Sequence, residues 1–205
     1  PSIGHFMLDE DFEGVPQECQ WLRGSDAEYN EFATARAIEA IRRAVASLGP
    51  ASVGAGSGIE GRTAFNRRAV QQDGTVFMPL GGWKPPLGPV QIRYIEGPTD
   101  PEVGVVCLRD QSGQVLATML HYTCHPVHVF RRPIPTVSAD WPGAWASAMG
   151  RRCGEECVSC VLNGACGNIN PWNPFDHDDQ NDHVLMGDTL GETAERVISL
   201  IDFQD

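Results

Sequence analysis

Two apolar β runs, residues 103–109 and 114–122, flank the turn sequence DQSG, and the second runs directly into HYTCHPVHV. Short apolar runs on either side of an Asp/Ser/Gly turn predict a β-hairpin. Pro126 ends regular pairing, because proline has no N–H to give to a sheet. The second strand therefore delivers His125 and His128 into an exit loop. Polar residues at strand-to-loop exits are where α/β folds place their sites.

The remaining elements are predicted around that hairpin. A helix is expected over residues 26–48, where Ser25 and Glu28 form a capping box. Phe32, Ala35, Ile38, Ile41, Val45 and Leu48 recur along it at helical spacing, and Gly49-Pro50 stops it. From residue 51 to 96 the chain reads as strand and loop. ASVGAGSGIEG is expected to be small and flexible, and MPLGGWKPPLGP is too rich in Gly and Pro for regular structure.

A short helix is expected to start near Trp141 or Pro142, carrying Trp145, Ala148 and Met149. A strand then runs through Cys157 to Asn163, followed by the loop NGACGNINPWNP. The last helix spans 183–203, with Leu185, Leu190, Ala194, Val197, Ile198 and Ile201 inward. Strands interleaved with long helices imply an α/β or α+β layered fold, a mixed β-sheet with flanking helices. With neither repeats nor a linker, residues 1–205 read as one domain or part of one. The opening residue is Pro1, and PSIGHFMLDEDFEG gives no structural lead-in, so the chain reads as a fragment whose N-terminus lies upstream.

Composition removes several function classes. The 205 residues are 41% hydrophobic and 20% charged, as in globular chains, and no apolar run approaches membrane-helix length. A net charge of -12 argues against nucleic acid as a partner of the bulk surface. Seven cysteines are an odd number, and Cys153, Cys157, Cys160 and Cys166 cluster. Cys157 and Cys160 form C-x-x-C, but a structural zinc needs a second ligand pair, and none is present at matching spacing. The cluster reads as buried thiols around an apolar strand.

Three strand exits carry candidate chemistry: Asn66–Arg68, the CHPVHV segment running on to VSADWPG, and NGACGNINP. A neutral imidazole is a common metal ligand, so His125 and His128 are candidates, although no H-E-x-x-H spacing is present. Asp140 is either a helix N-cap or a carboxylate that orients a ligand histidine. The turn NGACGNINP offers backbone N–H groups and amide side chains to an oxyanion, or is simply a tight loop. Arg67 and Arg68 either pair with surface acids or clamp a carbonyl. DHDDQNDH is dense in carboxylates but lacks an EF-hand pattern, and reads as a solvated loop whose Asp179 or Asp182 caps the last helix.

Taken in order, FNRR, GPTDPEVGVVCLRDQSGQVLATMLHYTCHPVHV, VSADWPGAW and NGACGNINP resemble the N-terminal catalytic domain of neutral/alkaline non-lysosomal ceramidases, and more closely their shorter relatives. The resemblance covers the chain from about Ala51 onward. It implies a zinc-dependent amidase cleaving an N-acyl sphingoid lipid or a related acyl bond through a metal-activated water. His125 then matches one of four zinc ligands, the others being expected outside this chain. Arg67 matches the active-site arginine, Asn66, Asn168 and Asp140 would line the substrate, and Asn170 stands where the family has its serine. An asparagine cannot be a nucleophile, but its amide can donate to an oxyanion.

Two rival readings follow from that departure. One is a ceramidase-like binding protein without turnover; the other is a metal hydrolase of a different substrate class, derived from carbohydrate or peptide. Partners are a small-molecule or lipid substrate on any of these readings. Family analogy points to secretion, whereas free cysteines point to a reducing compartment.

Overall fold

In the computed structural model, which describes residues 27–78, 92–131, 136–174 and 182–204, the chain divides into two units, Pro1–Gly49 and Pro50–Asp205. The expected Ser25 cap, the Pro1 segment, all of the Gly/Pro-rich stretch after Met78 and all of DHDDQNDH before Asp182 lie outside the described residues.

The first unit contributes α1 (Ala27–Ala46), close to the expected span. Its apolar stripe is present on one face, yet Phe32, Ile38, Ile41, Val45 and Leu48 are all exposed. The spacing fixed the helix, but within its own unit nothing described covers that face.

The second unit is built on a sheet of β1 (Ser52–Ile59), β6 (Glu102–Arg109), β7 (Val115–Tyr122) and β8 (Val158–Asn163), in the order β1-β6-β7-β8. Smaller pieces are β2 (Phe65–Asn66) paired with β9 (Ile169–Asn170), and a second sheet of β3 (Ala69–Gln71), β4 (Val76–Phe77) and β5 (Ile92–Ile95). Helices α2 (Asp140–Cys153) and α3 (His183–Leu200) complete it. A mixed sheet with helices against it is the layered α/β class that the sequence implies.

The hairpin forms as expected. Asp110 Oδ1 accepts from the N–H groups of Ser112 at 2.8 Å and Gln114 at 2.9 Å, and Gly113 takes φ 86°, the left-handed value a Gly tolerates freely. Inward residues alternate along both strands: Val103, Val105 and Cys107 on β6, Thr118, Leu120 and Tyr122 on β7, all buried. They meet Trp141, Trp145 and Met149 of α2 and Met186, Leu190, Ala194 and Val197 of α3.

One expectation fails outright. ASVGAGSGIEG is not flexible: residues 52–59 pair in unbroken antiparallel register with β6, from Ser52↔Arg109 to Ile59↔Glu102. Gly54, Gly56 and Gly58 all point inward, and α3 lies directly on their backbone. A Cβ on Gly54 would stand 2.1 Å from Ile201 Cγ2, and one on Gly58 would stand 3.0 Å from Val197 Cγ2. The glycines make a flat seat for a helix, which intrinsic propensity reads as weakness.

Two helix details also differ. The short helix begins at Asp140 and runs for 14 residues, its N-cap being Ala139 with no side-chain cap. In the last helix Leu185 is exposed, and Met186, Gly187 and Gly191 are buried instead. Gly187 lets α2 and α3 approach closely, since a Cβ there would meet Ala144 and Trp145 backbone at 2.6 Å. Asp182 caps α3 as expected, accepting from Val184 N at 2.9 Å and Leu185 N at 2.8 Å. No described helix is long and apolar enough to cross a membrane.

Candidate functional site

The site follows from one topological fact: β7 and β8 are parallel, with Tyr122 opposite Asn163. Parallel neighbours end at the same edge of a sheet, so the two exit loops leave side by side. Gly164 N donates to Tyr122 O at 3.1 Å, and Cys124 N donates to Asn163 Oδ1 at 3.3 Å. Only glycine fits at 164, because a Cβ would stand 2.1 Å from Thr123 Oγ1.

Further along, His125 N donates to Ile169 O at 3.1 Å, and Ile169 N donates to Cys166 O at 2.9 Å. The His125 ring thereby comes to rest against the second loop, its Nδ1 3.6 Å from Cys166 Sγ. Asn163 Nδ2 donates to the same sulfur at 3.5 Å.

The third exit closes over these two. Pairing of β2 with β9 sets Phe65 opposite Asn170 and Asn66 opposite Ile169. Arg67 N donates to Asn168 O at 2.8 Å, and its Nη2 donates to Gly167 O at 2.8 Å. Arg67, His125, Cys166, Asn168 and Asn170 are thus gathered from three distant segments. Arg68 turns outward to pair with Glu96. Asn66 is committed at both ends: its amide nitrogen donates to Glu96 O at 2.6 Å, and its oxygen accepts from Arg68 N at 2.9 Å. It also lines a groove with Phe65, Gly97, Thr99, Pro101 and Asn173.

Electrostatics suit the histidine to bind as a neutral ring. Partial burial, and then the nearby Arg67 guanidinium, hold His125 below the ordinary imidazole pKa. Asn170 is 1% exposed, and neither its Oδ1 nor its Nδ2 has a hydrogen-bond partner among the described residues. Leaving such groups unpaired costs about 1–3 kcal/mol each, so this amide has bonding capacity that a water or a ligand can take up.

Of the two readings of Asp140, the N-cap fails, since Ala139 holds that position, and the carboxylate that orients a histidine is the one its contacts follow, the histidine being His128. Asp140 Oδ1 lies 2.9 Å from His128 Nδ1 and accepts from Trp141 N at 2.8 Å, while Oδ2 accepts from Val129 N at 3.0 Å. The His128 ring stands edge-on to Trp172, and its buried Nε2 has no hydrogen-bond partner among the described residues. Burial alone would raise the Asp140 pKa, but the hydrogen bonds from His128, Val129 and Trp141 outweigh it and pull the carboxyl below its ordinary value.

Cys166 and Asn163 are the residues that sequence reasoning did not single out for the site, whereas His128 was named as a candidate. Cys166 had been grouped with the other thiols, and its position inside NGACGNINP, one residue before the glycine that Arg67 grips, was the available signal. Among the described residues no group of three His, Cys, Asp or Glu side chains is placed to hold a metal ion.

No protein-family model matches the sequence, and no curated protein matches it. Solved structures do match. The neutral ceramidase from Pseudomonas aeruginosa aligns with TM-score 0.55 and 18% identity over 79% of this chain. A ceramidase complexed with C2 aligns with TM-score 0.55 and 16% identity over 77%. This chain spans 25% and 24% of those two chains, about a quarter of each. Over the matched share of the chain the fold is therefore distantly ceramidase-like, as the motif order implied.

Proposed function

We propose that the chain forms part of the active centre of a ceramidase-like hydrolase that cleaves an amide of the N-acyl sphingoid type, or a related acyl bond. The observation that carries this reading is Asn170. A fully buried amide with both ends unsatisfied, set in a loop gripped by Arg67 and touching His125, is arranged to receive a polar reacting group. The likeness in fold to solved ceramidases supports an amide of that kind as the substrate class.

The donor set fits zinc in part. His125 offers an imidazole whose lowered pKa favours the neutral form, the one that binds metal, and on the family resemblance the other ligands are expected outside this chain. Zinc, when bound, supplies Lewis acidity at the scissile carbonyl. The chain's own residues do the rest. Arg67 holds its cationic guanidinium beside the loop where charge develops on the carbonyl oxygen. Asn170 donates from Nδ2, and Asn168 and Asn66 shape the wall that admits the acyl group. Asp140, through His128, fixes the neighbouring segment.

A second reading, a binding protein without turnover, is favoured by the same Asn170, since it cannot attack a carbonyl as serine does. The test is elemental analysis for zinc together with a hydrolysis panel of N-acyl sphingosines, on the full-length protein and on His125→Ala. Stoichiometric zinc lost in His125→Ala, with amide cleavage, supports the hydrolase. Zinc without cleavage of any amide points to another substrate class, and zinc absent from a folded wild-type protein overturns the metal reading.

A further inference from the structure

The C-x-x-C spacing of Cys157 and Cys160 invites a thiol pair, and the sheet forbids it. Val161 of β8 packs against the core, and Ser159 Oγ lies 2.8 Å from the buried Thr118 Oγ1. Val158, Cys160 and Leu162 alternate with these two and are exposed on the other face. Cys157 Sγ lies 3.7 Å from Ser159 Oγ. Cys157 and Cys160 therefore take opposite faces, as side chains at odd separation do along a strand.

What Cys157 meets is Cys153. Helix α2 ends at Cys153, and the chain reverses at once: Gly154 takes φ 110°, and Cys157 N donates to Gly154 O at 3.0 Å. This reversal brings the two thiols into hydrogen-bond contact. Both are half-buried, whereas Cys107, the third thiol of the group, is fully buried. We propose that Cys153 and Cys157 are a redox-active pair that closes to a disulfide by exchange with a low-molecular-weight disulfide.

The step balances without another electron carrier. The Cys157 thiolate attacks one sulfur of the small disulfide, forming a mixed disulfide and releasing one small thiolate. Cys153 then loses its proton and attacks Cys157 Sγ, displacing the second. Two protein thiols are oxidised, one small disulfide is reduced to two thiols, and the two protons released protonate them. Burial, then the neighbouring thiols, push Cys153 up to about 11, which suits it to the second, intramolecular attack. Glu155 and Glu156 are exposed in the turn between the two cysteines, so a cationic disulfide such as cystamine is the matched reagent. The closed pair ties the end of α2 to the start of β8, at the opposite end of that strand from Asn163.

The same two glutamates make the link easy to map. The full chain is equilibrated with excess cystamine, alkylated and cut with glutamyl endopeptidase, which separates Cys153 from Cys157 but leaves Cys157 and Cys160 in one peptide. The expected product is two peptides joined through Cys153 and Cys157, released by dithiothreitol. The link persists in Cys160→Ser, and in Cys153→Ser it is replaced by cysteamine held on Cys157. The oxidised wild type should also unfold at a higher temperature than the reduced protein. A Cys157–Cys160 bond, or mixed disulfides alone on folded wild type, overturns the pair.

Discussion

Asp140 Oδ1 and His128 Nδ1 lie 2.9 Å apart, with side chains only 2% and 4% exposed. This pair, and not a helix cap, is what the aspartate in SADWPG does. It is held in an uncommon conformation, φ 52°, which Asp and Asn tolerate better than other residues. Because the folded pKa of Asp140 is depressed, its contribution to stability is present above the unfolded value of about 3.9 and is lost as pH falls through that value and below it. Asp140→Asn keeps the backbone tolerance and removes the charge. It is expected to lower stability at pH 7 by about 2 kcal/mol, with the gap to wild type closing below about pH 4. Urea unfolding across pH 3–7 checks this, and a gap that does not narrow in acid rules out a stabilising Asp140 carboxylate.

Asn170 invites the opposite experiment. Replacing an unpaired buried amide with an apolar side chain of similar size is nearly neutral or stabilising. Asn170→Leu is therefore expected to leave the midpoint of thermal unfolding unchanged or raised, while ligand binding or turnover is lost. A loss of more than about 2 kcal/mol would mean that the amide is satisfied in the free protein.

Two glycines on the facing helices should respond with opposite signs. A Cβ on Gly187 meets backbone at 2.6 Å, whereas one on Gly150 meets nothing within 4 Å. Gly187→Ala is expected to cost about 2–3 kcal/mol through overpacking of α2 against α3. Gly150→Ala should gain about 0.5–1 kcal/mol from helix propensity. Equal effects in denaturant melts would contradict the close crossing.

The thiols should separate by reactivity. Burial raises the pKa of Cys107 and Cys124, and burial together with the thiols of Cys157 and Cys107 pushes Cys153 up to about 11. Cys160 is exposed. Pulsed alkylation at pH 8 with peptide mass spectrometry should label Cys160 first and Cys107 and Cys124 last. Rapid labelling of Cys124 would show that the exit of β7 opens in solution.

Local signals in the sequence carried the hairpin, the cap of α3 and the three exits, because each depends on a few adjacent residues: DQSG for the turn, Pro126 for the end of pairing, Asp182 for the start of α3. β1 was misread for a related reason. Its glycines have poor strand propensity, and only their period of two, Gly54, Gly56 and Gly58, betrays the inward face that receives α3. The partnership of Asp140 with His128 was within reach, since a carboxylate orienting a histidine was one of its two readings, but choosing which histidine needed the path of the chain. Cys166 against His125 was not legible at all. Their meeting depends on β7 and β8 being parallel and in a particular register, and no nearby residue encodes that.

The chain distances across these contacts set the order in which the pocket can come into being. Arg67 and Gly167 are 100 residues apart in sequence, and His125 and Cys166 are 41 apart. The hairpin can close early from its own turn, but such remote contacts carry a larger loop-closure entropy and come together late. During synthesis the arginine and the histidine leave the ribosome with no partner to meet, and wait for the loop around residue 167. Ligand capture should thus report on the last stage of maturation: a nascent or truncated chain that lacks this loop is inert however well its sheet has begun to form.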